Sequence, residues 1–270
     1  MTAQLEISLG QYSDRGLKEI NQDFHGAVIP DGPVRMMKGI ALIVADGISS
    51  SDVSQIAAET AVKSFLSDYY CTSEAWSVKT SAQRVIAAVN SWLHAQTRQA
   101  AHGDGQGQDR DRGFVCTFSV LVLKSRTAHL FHIGDGRVLR LAGQSLEQLT
   151  VDHKIRISST QVYLARAVGM EAQVEIDYRQ VPLSVGDVFV LATDGVADYT
   201  DRPTLQRLLK ESADLDDAAR GLAFHALECG SRDNLTVQLV RIESLPGAEA
   251  EESRSLSLML RPPAIPEPGD

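Results

Sequence analysis

Asp46-Gly47, Asp135-Gly136, Asp194-Gly195 and Asp233-Asn234 are short turn words, and each stands at an end of an apolar run. Runs such as Ala41-Leu42-Ile43-Val44-Ala45 before Asp46, or Val188-Phe189-Val190-Leu191-Ala192-Thr193 before Asp194, read as buried strands that deliver a terminal carboxylate to one edge of a sheet. The following glycine permits a sharp turn and brings a backbone carbonyl near the same point. Several carboxylates, a carbonyl and water form a hard-oxygen site suited to Mg²⁺ or Mn²⁺ rather than to Zn²⁺.

Residues 4–11 and 24–29 alternate as strands, and 39–46 is a continuous apolar strand. From Asp52 the spacing changes to that of a helix, with Asp52 as its N-cap and Gln55 at the third position. A second helix is expected at 79–101, with Val85, Ile86, Val89, Trp92 and Leu93 on one face, followed by a mobile polar loop over 103–112. Strands follow at 114–123, 127–133, 136–141, 173–181 and 187–193, then helices at 203–211 and 214–229 and a last strand at 234–243. The short links at 124–126 and 134–136 predict hairpins and antiparallel pairing. Strands, paired helices, then more antiparallel strands favour an α+β layered architecture. From Ser244 the composition turns to Pro, Glu, Ser and Gly, so 1–243 reads as one domain and 244–270 as a tail or linker.

The chain of 270 residues can bury one large core or two small ones, and no apolar segment approaches the length of a membrane span. The start of the chain lacks a basic stretch followed by an apolar core, so no secretory signal is expected and the cytoplasm is the default location. Three widely spaced cysteines, Cys71, Cys116 and Cys229, argue against a disulfide framework. The formal net charge of −9 disfavours a nucleic-acid partner, and any phosphate-binding pocket must draw its positive charge from metal ions or from one or two basic side chains.

Taken in order, the words Ser13-Asp14…Gly16…Asn21-Gln22-Asp23, Val44-Ala45-Asp46-Gly47, Ile133-Gly134-Asp135-Gly136-Arg137, Leu149-Thr150-Val151-Asp152-His153, Ala165-Arg166-Ala167-Val168-Gly169, Ala192-Thr193-Asp194-Gly195-Val196-Ala197-Asp198 and Arg232-Asp233-Asn234-Leu235-Thr236 resemble those of the metal-dependent PP2C-type (PPM family) protein serine/threonine phosphatases. The resemblance runs from about residue 8 to 243. It implies a four-layer α/β/β/α sandwich of two antiparallel sheets flanked by helices, with a two-metal centre at one end. It also implies that Asp46, Asp194 and Asp233 are direct carboxylate ligands, that the Gly47 carbonyl is a backbone ligand, and that Asp23 acts directly or through water. Asp135 and Asp198, with a share of Asp194, match the positions that hold a third, weaker metal in bacterial relatives, and Asn234 matches the residue that braces Asp233. The chemistry implied is attack on phosphorus by a hydroxide formed between two Mg²⁺ or Mn²⁺ ions. No cysteine is followed six positions on by Arg, and there is no Gly-x-x-x-x-Gly-Lys-Ser/Thr word, so neither a cysteine-phosphatase nor a P-loop reading competes.

The chain departs from that pattern in four places. Lys18 stands where relatives carry Arg to hold the substrate phosphate; it offers a point charge but no bidentate fork, and Arg15 is an alternative if the segment is re-registered. Gln22 stands where Glu is frequent and would orient water without adding charge. Ile48-Ser49-Ser50 replaces Met-Gly-Gly after Asp46-Gly47. The stretch from Asp152-His153 to Leu164-Ala165-Arg166 is short, which suggests a trimmed flap and an open cleft. Plainer readings stand beside these: any one Asp-Gly pair is an ordinary turn, Lys18 alone is an ordinary surface charge, and Asp198 would also cap a helix begun by Pro203. His132 and His153 read as structural, Asp104, Asp109 and Asp111 as solvated loop charges, and Trp76 and Trp92 as packing residues.

Two functions follow from the resemblance. One is metal-dependent hydrolysis of phosphoserine and phosphothreonine in proteins; the other is a weak or inactive module that binds phosphoproteins or a partner kinase, motivated by Lys18 and Ser49-Ser50. The retained carboxylates favour catalysis, because clustered aspartates repel one another unless a cation offsets them. The Pro-rich tail would suit a junction to a serine/threonine kinase in a phosphatase–kinase fusion, with this chain as an excised domain; a separate kinase partner is the other case.

Overall fold

The computed structural model describes residues 4–103, 113–156 and 162–247. In chain order the elements are β1 (Glu6–Asp14), β2 (Asp23–Val28), α1 (Gly32–Lys38), β3 (Ile40–Asp46), α2 (Ser54–Cys71), α3 (Val78–Gly103), β4 (Phe118–Lys124), β5 (Thr127–Ile133), β6 (Arg137–Ala142) and β7 (Ser145–Gln148). They continue with β8 (Lys154–Arg156), β9 (Val162–Leu164), β10 (Asp177–Pro182), β11 (Val188–Ala192), α4 (Asp194–Ala197), α5 (Arg202–Glu211), α6 (Leu215–Glu228) and β12 (Leu235–Ser244).

Two five-stranded antiparallel sheets, ordered β1-β12-β11-β6-β7 and β10-β5-β4-β3-β2, pack face to face. The parity of β3 shows why its sequence is apolar throughout: Leu42 and Val44 join the core between the sheets with Leu121, Phe189, Leu191 and Val240, whereas Ala41, Ile43 and Ala45 face α2 and α3. The outer face of the other sheet, including Val190, Val237 and Leu239, is covered by α4, α5 and α6. The result is the expected helix–sheet–sheet–helix layering. Gly10 of β1 permits close docking of α6, since a Cβ there would lie 2.1 Å from the Leu215 carbonyl carbon.

The link at 124–126 is the expected hairpin turn, closing β4 onto β5. The link at 134–136 is not a hairpin, because β5 and β6 belong to different sheets. Gly134 there has φ of +116° and lies against Thr117, with room for no Cβ. Polar, short β7 and the pair β8–β9 escaped the apolar pattern, as did α1 and the single turn α4.

Several local expectations also shift. Asp52 does not cap α2: the cap position is Val53, with no side-chain bond, and the preceding turn is held by Ser51, whose Oγ donates to the Gly113 carbonyl at 2.8 Å. Asp198 does not cap α5 either; Asp201 does, accepting from the Thr204 amide at 2.8 Å. Trp92 is 47% exposed and meets Phe114 edge-on, while the Arg84 guanidinium lies 4.4 Å from the Trp76 ring, so both indoles cover the surface instead of filling the core. The polar loop with Asp104, Asp109 and Asp111, and the tail from 248, lie outside the described residues. Among the described residues, no helix is long and apolar enough to cross a membrane.

Candidate metal and phosphate site

Strand pairing brings the acidic residues to one end of the sandwich. Asp23 opens β2 and Asp46 closes β3, and the two are cross-strand partners in register. Residues following β11 and preceding β12 reach the same place, because Thr193 extends the ladder with its amide donating to the Thr236 carbonyl at 3.1 Å. The Thr193 hydroxyl in turn donates to Asp23 Oδ2 at 2.8 Å, which ties Asp194 to the Asp23–Asp46 pair. Gly195 sits so close that a Cβ would meet the Asn234 carbonyl oxygen at 2.1 Å and Asp233 Cβ at 3.1 Å. This contact is the physical reason for glycine after Asp194, and it places Asp233 beside that residue.

Burial makes these carboxylates costly to ionise. Asp23 is pushed up to about 6, first by burial, with the Thr236, Thr193 and Asp46 side chains pulling the other way. Asp46 is raised well above the usual range, by burial first and then by the charges of Asp23, Asp194, Asp233 and Asp135. Asp194 is pushed up to about 6 by burial and by Asp135, against the pull of Lys154. Cys116, buried against Asp46, has its thiol pushed up as well, by burial and then by that carboxylate. The other Asp23 oxygen, Oδ1, is buried with no hydrogen-bond partner. An orphaned buried carboxylate oxygen among mutually repelling acids is the type of donor a hard cation takes, so the chemistry of these residues fits Mg²⁺ or Mn²⁺.

The backbone around Asp46-Gly47 is firmly held. Thr117 holds it on two sides: its Oγ1 accepts from the Asp46 amide at 3.0 Å, its own amide donates to the Asp46 carbonyl at 2.7 Å, and Gly47 pairs with Cys116. Gln22, expected to orient water, has its side-chain Nε2 donating to the Ser51 carbonyl at 3.0 Å and Ser54 Oγ at 2.7 Å. Asn234 braces Asp233 only through its backbone amide, at 2.7 Å from Oδ1. Its side chain instead fastens the β1–β2 loop, donating to the Arg15 and Ile20 carbonyls at 2.9 Å each and accepting from the Gln22 amide at 2.9 Å.

Two ammonium groups stand on the acids. Lys18 is ion-paired with Asp233 and donates to Ser49 Oγ at 2.7 Å, while Arg15 is exposed. Lys154, which the sequence reading passed over, lies 2.9 Å from Asp135 Oδ2 and 3.3 Å from Asp194 Oδ2. Burial alone would lower its pKa, but those two carboxylates hold it above the usual value. Asp198 is ion-paired with Arg137, whose Nη2 lies 2.7 Å from Asp198 Oδ1 and 2.7 Å from Asp152 Oδ2. Among the described residues, no three His, Cys, Asp or Glu side chains are gathered closely enough to hold a metal ion between them. Lys154 follows directly on Asp152-His153, and that adjacency was the signal by which it could have been found.

His132 and His153 brace the fold, as expected. Gly134 bonds His153 twice, its carbonyl accepting from the His153 amide at 2.8 Å and its amide donating to Nδ1 at 3.0 Å. His132 Nε2 donates to the Gly134 carbonyl at 3.0 Å, which leaves Nδ1 to accept from Ser119 Oγ at 2.9 Å.

A double antiparallel sandwich with acids converging at the strand ends defines the class, and the sequence profile described as Protein phosphatase 2C matches residues 11–229. The chain belongs to that family. It is 27% identical over 218 residues to the serine/threonine phosphatase stp of Listeria monocytogenes, covering 74% of this chain and 83% of the relative. It is 26% identical over 253 residues to the protein phosphatase PhpP of Streptococcus pneumoniae, covering 87% and 97%. Among solved structures, Stp1 from Staphylococcus aureus superposes with a TM-score of 0.74 at 19% identity over 90% of this chain and 98% of that one. The Mycobacterium tuberculosis phosphatase PstP/Ppp gives 0.69 at 22% identity over 88% and 99%.

Proposed function

We propose that this chain is a metal-dependent protein phosphatase that hydrolyses phosphoserine and phosphothreonine in proteins. The observation that carries the reading is Asp23 Oδ1, a buried carboxylate oxygen without a donor, set among Asp46, Asp194 and Asp233. Asp46, Asp194 and Asp233, with the Gly47 carbonyl and Asp23, would hold two Mg²⁺ or Mn²⁺ ions. When bound, such a pair supplies a hydroxide near neutral pH and charge stabilisation for in-line displacement at phosphorus.

The protein's own groups prepare that chemistry. Thr193 fixes one oxygen of Asp23 and leaves the other for a cation. Thr117 and Cys116 fix the backbone at Asp46-Gly47, so the Gly47 carbonyl need not be ordered when a ligand arrives. Lys18 is the basic side chain available for the substrate phosphate: a cation at Asp233 would compete for that carboxylate and leave the ammonium to an anion. Ile48 has no proton to give, which assigns protonation of the leaving oxygen to water.

The substrates of such an enzyme are products of serine/threonine kinases, so a kinase, fused or separate, is the proposed counterpart, and the cytoplasm is the proposed location. The second reading, a module that binds phosphoproteins without turnover, draws on the two lysines standing on the acids. Assays with p-nitrophenyl phosphate and a phosphothreonine peptide separate the two. The catalytic reading expects Mn²⁺-dependent release of phosphate that a chelator abolishes; phosphopeptide binding with no release at any Mn²⁺ level would establish the second reading instead.

A further inference from the structure

Lys154 occupies the position between Asp135 and Asp194, two of the three residues that match a third-metal site, while the remaining one, Asp198, is held by Arg137. We infer that Lys154 is a built-in cation that takes the place of a third divalent ion, so that this protein binds two metal ions where a chain with a neutral residue at 154 would bind three. The inference rests on the two-metal reading above and concerns only how many ions the acids accept.

The geometry is prepared by the backbone. Asp135 follows Gly134, and Lys154 follows His153; the two reciprocal bonds between Gly134 and His153, at 2.8 and 3.0 Å, set their neighbours side by side. His153 is fixed further by Asp177, 3.0 Å from Nε2, and by its carbonyl, which accepts from the Ala165 amide at 2.7 Å. The Lys154 side chain is 27% exposed, and its stem needs no search to find the two acids. A tethered ammonium acts at an effective concentration of about millimolar or more, and a weakly held ion must displace it on those terms. It also offsets the repulsion between Asp135 and Asp194 while offering no acceptor to a metal. Asp198, paired with a guanidinium that also holds Asp152, is not free to complete a ligand set.

The test counts bound Mn²⁺ per 270-residue chain from the electron paramagnetic resonance signal of free Mn²⁺ during titration. The expected counts are two for the unaltered protein, three for Lys154→Met, two for Lys154→Arg, and two for Lys154→Met combined with Asp135→Asn. Asp135→Asn alone, which leaves Lys154 in place, should keep the count at two. Equal counts for the unaltered protein and Lys154→Met would overturn the inference, as would a fall from three to two on Asp135→Asn alone. Two ions in every variant would leave the two-metal reading intact, whereas no bound Mn²⁺ in any of them would remove that reading and this inference together.

Discussion

Asp23 and Asp46 are acids facing each other across a strand pair, and burial is the first cause that raises both pKa values, while the surrounding sheet fixes their backbones. Replacing a proposed ligand carboxylate by its amide keeps the shape and removes the charge. Asp46→Asn and Asp194→Asn are each expected to lower Mn²⁺-dependent turnover by at least about 100-fold, since even residues that only orient metal ligands cost 10–100-fold. Wild-type rates in either variant, measured on a phosphopeptide, would contradict the assignment. His132 makes a separate prediction. Burial first, and then the neighbouring His153, hold it down to about 4 against an ordinary 6.5. The unfolded chain therefore takes up this proton first as pH falls, and stability present above about 6.5 is lost progressively toward 4, by at most about 3 kcal/mol. His129 is lowered to about 4 by burial as well and keeps its own share of the slope. Urea unfolding of His132→Gln should show a shallower decline over that window, and an unchanged slope would count against the buried neutral imidazole.

The docking of α6 on β1 depends on a missing side chain. Gly10 lets the start of α6 come within contact of the strand backbone, and Asp216 Oδ1 then accepts from the Gln11 amide at 2.7 Å. Gly10→Ala forces the helix outward and should destabilise the fold by about 1–3 kcal/mol in urea unfolding, while leaving the Mn²⁺ requirement for turnover unchanged. Elements read from periodicity, such as β3, α3 and α6, were legible because an apolar face repeats along them. The pair β8–β9 was not, because three-residue strands carry no period, and it is this pair that delivers Lys154 to Asp135 and Asp194. The crossover at 134–136 was misread as a hairpin for a related reason: a glycine-rich turn reports a change of direction but not which sheet the next strand joins.

For the molecule as a unit, the acids at one end of the sandwich repel one another, and a ligand that binds only the folded state must stabilise it. Saturating Mn²⁺ at about 100 times its dissociation constant should add about 2.7 kcal/mol, which for a chain of this size raises the melting temperature by several degrees. Scanning calorimetry with Mn²⁺ and with chelator checks this, and identical melting curves would argue that the acids hold no cation. Magnesium should act in the same direction, because both are hard ions that accept carboxylate oxygen.

The order and type of the acidic words were enough to name the family, the layering and the candidate ligands, because strand runs ending in Asp-Gly are local features written in consecutive residues. Which acid meets which base was not readable, since contacts such as Lys18 with Asp233, Lys154 with Asp194 and Arg137 with Asp198 join residues tens to hundreds of positions apart. Their partners are chosen by sheet register and by the approach of turns to one another, and no pattern within a single segment encodes either.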